Sequence, residues 1–196
     1  MPAVLPDEVE AGRCAARVLL DAGHRDGIYL IGAGPGLRDV PSESVAAVER
    51  LVGIRQALGE AGVKVAGART CPDWQPEYGL AATRDLLRTA KPRALICFND
   101  RIAMGAYQAL DDFGLKVPAD VSVVSFDDHP IASWMRPKLT TVALPHYELG
   151  RGAVDVLFTE MDRDRSDTDG VGEVHRVAMP VRGRASVAPS CAVEPG

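Results

Sequence analysis

The sequence lacks most of the features that announce a chemical mechanism. No block of Lys and Arg forms a basic stripe: 22 Lys+Arg stand against 27 Asp+Glu, a formal net charge of −5. The electrostatic footprint of a nucleic-acid binder is therefore missing. The four cysteines (Cys14, Cys71, Cys97, Cys191) are scattered with no C-x-x-C pair, and the four histidines (His24, His129, His146, His175) lack metal-ligand spacing. Such a pattern predicts free thiols rather than disulfides, and no metal site. G-x-S-x-G is absent, and no Ser/His/Asp or Cys/His set nominates a nucleophile. The sequence thus predicts no catalytic residue and no cofactor. No apolar run approaches the roughly 20 residues of a membrane span. The start, MPAVLPDEVE, has no apolar signal-peptide core. If Met1 is the native start, the expected location is the cytoplasm.

What is present is an ordinary globular balance, 46% hydrophobic and 25% charged over 196 residues, enough for one respectable core or two small lobes. Helical and extended patterns alternate. Helices are expected over residues 8–22, 42–61, 76–89, 101–113 and 147–161. Strands are expected over 27–31, 63–70, 94–98, 121–126, 140–143 and 175–184. Repeated β-α units with almost wholly apolar strands predict an α/β protein with a doubly wound parallel sheet. A hinge is expected near residues 143–145 and a flexible charged loop over 162–172.

Five polar features compete for a role. IGAGPGL (31–37) follows a strand like a dinucleotide fingerprint. Its sixth position is Leu37, and Ile54-Arg55 stand where an acidic ribose ligand belongs, so a glycine-rich rim loop is the better reading. Asn99-Asp100 ends one apolar strand. One of the pair caps the next helix, while the Asn99 amide could instead offer donors and acceptors to ligand hydroxyls. Asp127-Asp128 ends another strand, either as a turn helped by Pro130 or as a carboxylate for a polyol. As neighbours at a strand end the two acids point apart, so no facing dyad is expected. Trp74 lies in the polar loop CPDWQPEYG, where a ring can pack or can offer a face to a sugar or a planar base. Arg50, on a helix, reads most simply as a solvated charge.

Several separate motifs carry a likeness. AARVLLDAGHRDGIYLIG (15–32), ERLVGIRQALGEAG (49–62), PRALICFNDRIAMGAYQALDDFGLKVPADVSVVSFDD (92–128), RPKLTTVALPHYELGRGAVDVL (136–157) and VRGRASVAP (181–189) occur in the order found in bacterial regulators of the LacI/GalR family. Over residues 7–189 the chain resembles the C-terminal, effector-sensing part of such a regulator.

The resemblance implies a periplasmic-binding-protein-like fold of two α/β lobes with an effector in the cleft. Residues 8–143 would form the second lobe, and 144–189 a hinge, helix and strand of the first. The implied effector contacts are Arg50, Trp74, Asn99 and Asp127, the implied effector is a sugar or related small polar molecule, and the implied assembly is a homodimer. Operator DNA would be reached only through a helix-turn-helix absent from these residues. A solute-binding protein of a sugar transporter, which shares the fold, is the alternative.

Ser125 replaces the Gly usual before F-D-D, and the loop after Gly34 is long. With most of the first lobe missing, the segment after Pro145 is expected to swap onto a neighbouring molecule or to be poorly ordered. Arg50 and Asp127 are expected near the cleft surface, where replacement would leave folding little changed.

Overall fold

The computed structural model describes residues 2–34, 44–162 and 173–190. Its main body is a six-stranded sheet in the order β3-β2-β4-β5-β6-β8. The strands are β2 (Ile28–Gly32), β3 (Gly67–Thr70), β4 (Ala94–Cys97), β5 (Ser122–Asp127), β6 (Thr140–Ala143) and β8 (Val181–Arg182). All pair in parallel except β8, which runs antiparallel to β6. The central strands β2, β4 and β5 are mostly apolar and almost wholly buried because helices cover both faces. Helices α1 (Glu8–Asp21) and α2 (Val45–Glu60) pack as one pair, and α3 (Pro76–Thr89) and α4 (Asp100–Asp112) as another. From β2 the chain moves outward to β3, and from β4 it moves the opposite way to β5. Right-handed crossovers then place α2 and α4 on opposite faces and leave a crevice at the carboxyl ends of β2 and β4.

α1 and α2 cross with backbone against backbone. A Cβ on Gly12 would lie 2.2 Å from the Arg50 carbonyl oxygen, and one on Gly53 would lie 1.8 Å from that of Val9. Only glycine permits this approach. It brings the first turn of α1 beside the middle of α2, which matters for the site.

Three features depart from the sequence expectation. The expected strand over 175–184 is two strands separated by Ala178-Met179-Pro180: β7 (Val174–Val177) and β8. β7 pairs in parallel with an unanticipated strand, β1 (Ala3–Pro6), in a separate two-stranded sheet. The charge-rich α6 (His146–Asp162) docks on that sheet, Gly152 facing Val4. The segment after Pro145 therefore has a partner within its own chain, although Tyr147, Leu157, Phe158 and Met161 remain exposed on α6.

β8 and the residues that follow return to the large sheet. Buried Ser186 donates to the Val123 carbonyl (2.6 Å) and accepts from the Thr140 N–H (2.7 Å), and the Ser190 N–H reaches the Ala22 carbonyl (2.7 Å). A short helix, α5 (Ile131–Trp134), follows β5. The glycine-rich loop beyond Gly34 and the charged loop after Asp162 lie outside the described residues. Among the described residues no helix is long and apolar enough to cross a membrane. Cys14, Cys71 and Cys97 are free thiols.

Candidate functional site

The carboxyl rim of the sheet carries all four sequence-predicted residues, and Arg50 is their hub. Its side chain is only 3% exposed. It projects from α2 across the end of β4. Nε and Nη2 donate to the Glu8 carboxylate at 2.6 and 3.1 Å, Nη1 to the Phe98 carbonyl at 2.6 Å, and Nη2 also to Asp127 Oδ1 at 3.0 Å. The guanidinium carbon stands 4.5 Å from the centre of the Phe126 ring and 5.7 Å from that of Trp74, within cation–π range. Burial pulls the Arg50 guanidinium down, but Glu8 and Asp127 outweigh it, and the charge is held above its ordinary value. Arg50 is thus a paired interior charge, which corrects the solvated reading.

Asn99 caps α4. Its Oδ1 accepts from the Ile102 N–H at 2.8 Å while its Nδ2 donates to the Trp74 carbonyl at 3.1 Å. One amide therefore fixes both the helix start and the loop that carries Trp74. Trp74 is half-buried and stands edge-on to Phe98, with ring centres 6.2 Å apart.

Asp127 and Asp128 both have positive φ, 104° and 54°, a region that costs non-glycine residues and recurs at ligand sites. The two acids diverge as expected. Asp127, its side chain one-third exposed, turns to Arg50, while Asp128 accepts from Arg184 at 2.6 Å. Beyond Asp127 and Asp128 opens a groove of about 600 Å³ bounded by Pro145, Tyr147, Met179 and Arg182.

Two acids of the site escape sequence reasoning. Glu8 reads only as a residue of a helix's first turn; nothing in the pattern marks a partner on another helix. Asp100 reads as part of a cap, yet it is 1% exposed and anchors the strained turn. It accepts from Ser125 Oγ, from Thr141 Oγ1 at 2.8 Å and from the His129 N–H at 2.7 Å. Ser125, the departure noted before F-D-D, therefore supplies a donor to a buried carboxylate. Burial pushes the Asp100 carboxyl up to about 6, against the pull of those bonds.

An acid raised in this way weakens the fold above that pH, and the penalty fades as pH falls toward the ordinary carboxylate value. Between pH 7 and pH 4 the wild type should gain about 2 kcal/mol relative to Asp100→Asn. Urea midpoints of the two proteins across that range check this; parallel pH profiles would contradict it.

The site offers a partly exposed carboxylate, a half-buried aromatic ring and a fixed amide. Among the described residues no group of three or more His, Cys, Asp or Glu could hold a metal ion.

Comparison with known proteins now bears on this geometry. Residues 16–187 match the sequence model of the periplasmic binding protein-like domain. The chain belongs to that family. Among curated relatives, the HTH-type transcriptional repressor PurR of Escherichia fergusonii is 37% identical over 175 residues, 88% of this chain and 49% of that protein. PurR of Pectobacterium atrosepticum is 36% identical over 174 residues, with 88% and 48% covered. The chain spans about half the length of the curated relatives it matches.

Among solved structures, a LacI family regulator from Enterococcus faecium with bound ribose superposes with a TM-score of 0.79 at 25% identity, covering 97% of this chain and 66% of that one. A dimeric Lac repressor gives 0.81 at 27% identity, covering 95% and 64%. These relatives place the periplasmic binding protein-like chain in the LacI/GalR group, as its motifs imply.

Proposed function

We propose that the chain is the effector-binding and oligomerisation module of a LacI/GalR-type transcriptional regulator, and that Arg50, Trp74, Asn99 and Asp127 form the second-lobe wall of its effector site. The observation that carries this reading is the Arg50–Asp127 pair at the switch point of the sheet, where open α/β sheets bind ligands. Asp127 keeps its side chain one-third exposed and Trp74 brings a half-buried ring to the same rim, which suits a neutral sugar or a related polyol. A ribose-bound relative and a regulator solved as a cellobiose complex support that class.

In this reading residues 8–143 form the second lobe, joined by β8 and residues 183–190, while β1, α6 and β7 belong to the first. The module has no enzymatic role, uses no cofactor, and works in the cytoplasm as a homodimer. Operator contact falls to a helix-turn-helix outside these residues, as the repressor relatives suggest. Those same relatives favour the regulator over a transporter component.

Trp74 gives the test. With Trp134, which is 81% exposed, replaced by phenylalanine, Trp74 emission should shift saturably as ribose or cellobiose is added. Emission that stays flat with both sugars would count against a sugar site at this rim.

A further inference from the structure

We propose that Glu8 is the positioning residue of the rim site: its carboxylate fixes the Arg50 guanidinium, and Arg50 in turn fixes Asp127. The proposal rests on the reading of Arg50 and Asp127 as effector contacts.

Glu8 is 5% exposed. A carboxylate so deeply buried is tolerated only when paired, and it takes the Nε and one Nη2 bond of Arg50 in a fork. Those two bonds leave Nη2 turned toward Asp127 and Nη1 toward the Phe98 carbonyl. Without Glu8 the guanidinium could swing about its last side-chain torsion, and Asp127 would lose its fixed donor.

The arrangement depends on the glycine crossing of α1 and α2, which brings Glu8 and Arg50 together across 42 residues of sequence. Glu8 also directly follows Asp7, whose N–H is held by the Val177 carbonyl of β7 at 2.8 Å. The residue that orients Arg50 thus sits where the small sheet meets the large one.

The test needs no effector. Phenylglyoxal modifies accessible guanidiniums, and peptide mapping follows Arg50 beside exposed Arg88 as an internal standard. Glu8→Gln keeps the shape, accepts one bond and turns a donor toward the other. It should speed Arg50 modification about tenfold, the weight of one hydrogen bond to a charged group, with Arg88 unchanged. Trp74 emission, read in the Trp134→Phe background, should shift as the cation leaves the ring.

Should Glu8→Gln fail to fold, Glu8→Asp keeps the charge one methylene short and should give a smaller rise in the same direction. Arg50 reactivity and Trp74 emission at wild-type values in a folded variant would overturn the proposal. A raised Arg50 reactivity in a protein that binds no sugar would uphold the positioning role while removing the effector reading.

Discussion

Arg50→Ala is expected to lower the stability of the protein by about 3–5 kcal/mol, the cost of leaving one partner of a buried ion pair uncompensated. Without Arg50, the Glu8 carboxylate stays buried with no counter-charge, and the Phe98 carbonyl loses its donor. Asp127→Ala is the contrast. Its side chain is one-third exposed, solvent screens the lost pair, and Arg50 keeps Glu8. That variant should cost about 1 kcal/mol or less. This separates two residues that sequence reasoning treats alike as surface contacts whose loss leaves folding little changed. Urea denaturation of both variants checks it. Equal midpoints would mean that Arg50 is not held as described.

Gly53→Ala should destabilise by about 3 kcal/mol, against the helix-propensity gain of up to about 1 kcal/mol that such a change ordinarily brings. The new Cβ would sit 1.8 Å from the Val9 carbonyl oxygen and 2.9 Å from the Arg13 nitrogen. Both are backbone atoms of α1, so no side-chain rotation relieves the clash, and the helices must separate. That separation also draws Glu8 away from Arg50. Gly59→Ala, on the same helix with nothing within 4 Å of its Cβ, should instead stabilise by roughly 0.5–1 kcal/mol. The two variants should therefore move the unfolding midpoint in opposite directions. Shifts of the same sign and size would contradict the close crossing.

Much of the fold is legible because the buried strands announce themselves. ALIC and SVVSF have no polar face to misread, and the stops at Gly62 and Gly114 close their helices. β1 is not legible: AVLP is four residues bounded by prolines, and it becomes a strand only because β7 lies beside it. The reversal at Ala178-Met179-Pro180 is hidden for a similar reason, since Val177 and Val181 continue one apolar pattern while serving two sheets.

At the site, Asn99, Trp74 and Asp127 are visible as polar or aromatic residues at or just past strand ends. Arg50 is visible only through the family likeness, since a charge on a helix carries no mark of the acid that will bury it. Glu8 has no mark at all. Its role arises from a helix crossing set by two glycines, Gly12 and Gly53, which no local pattern ties to a carboxylate.

The central claim is that the Arg50–Asp127 rim is an effector site, and calorimetry with Asp127→Asn tests it most directly. Wild type and variant would be titrated with whichever of ribose or cellobiose shifts Trp74 emission, after far-UV spectra show both to be folded. The account predicts a loss of about 1.5–3 kcal/mol of binding free energy, the weight of a hydrogen bond to a charged group and more than tenfold in affinity. An unchanged affinity in the folded variant would contradict it.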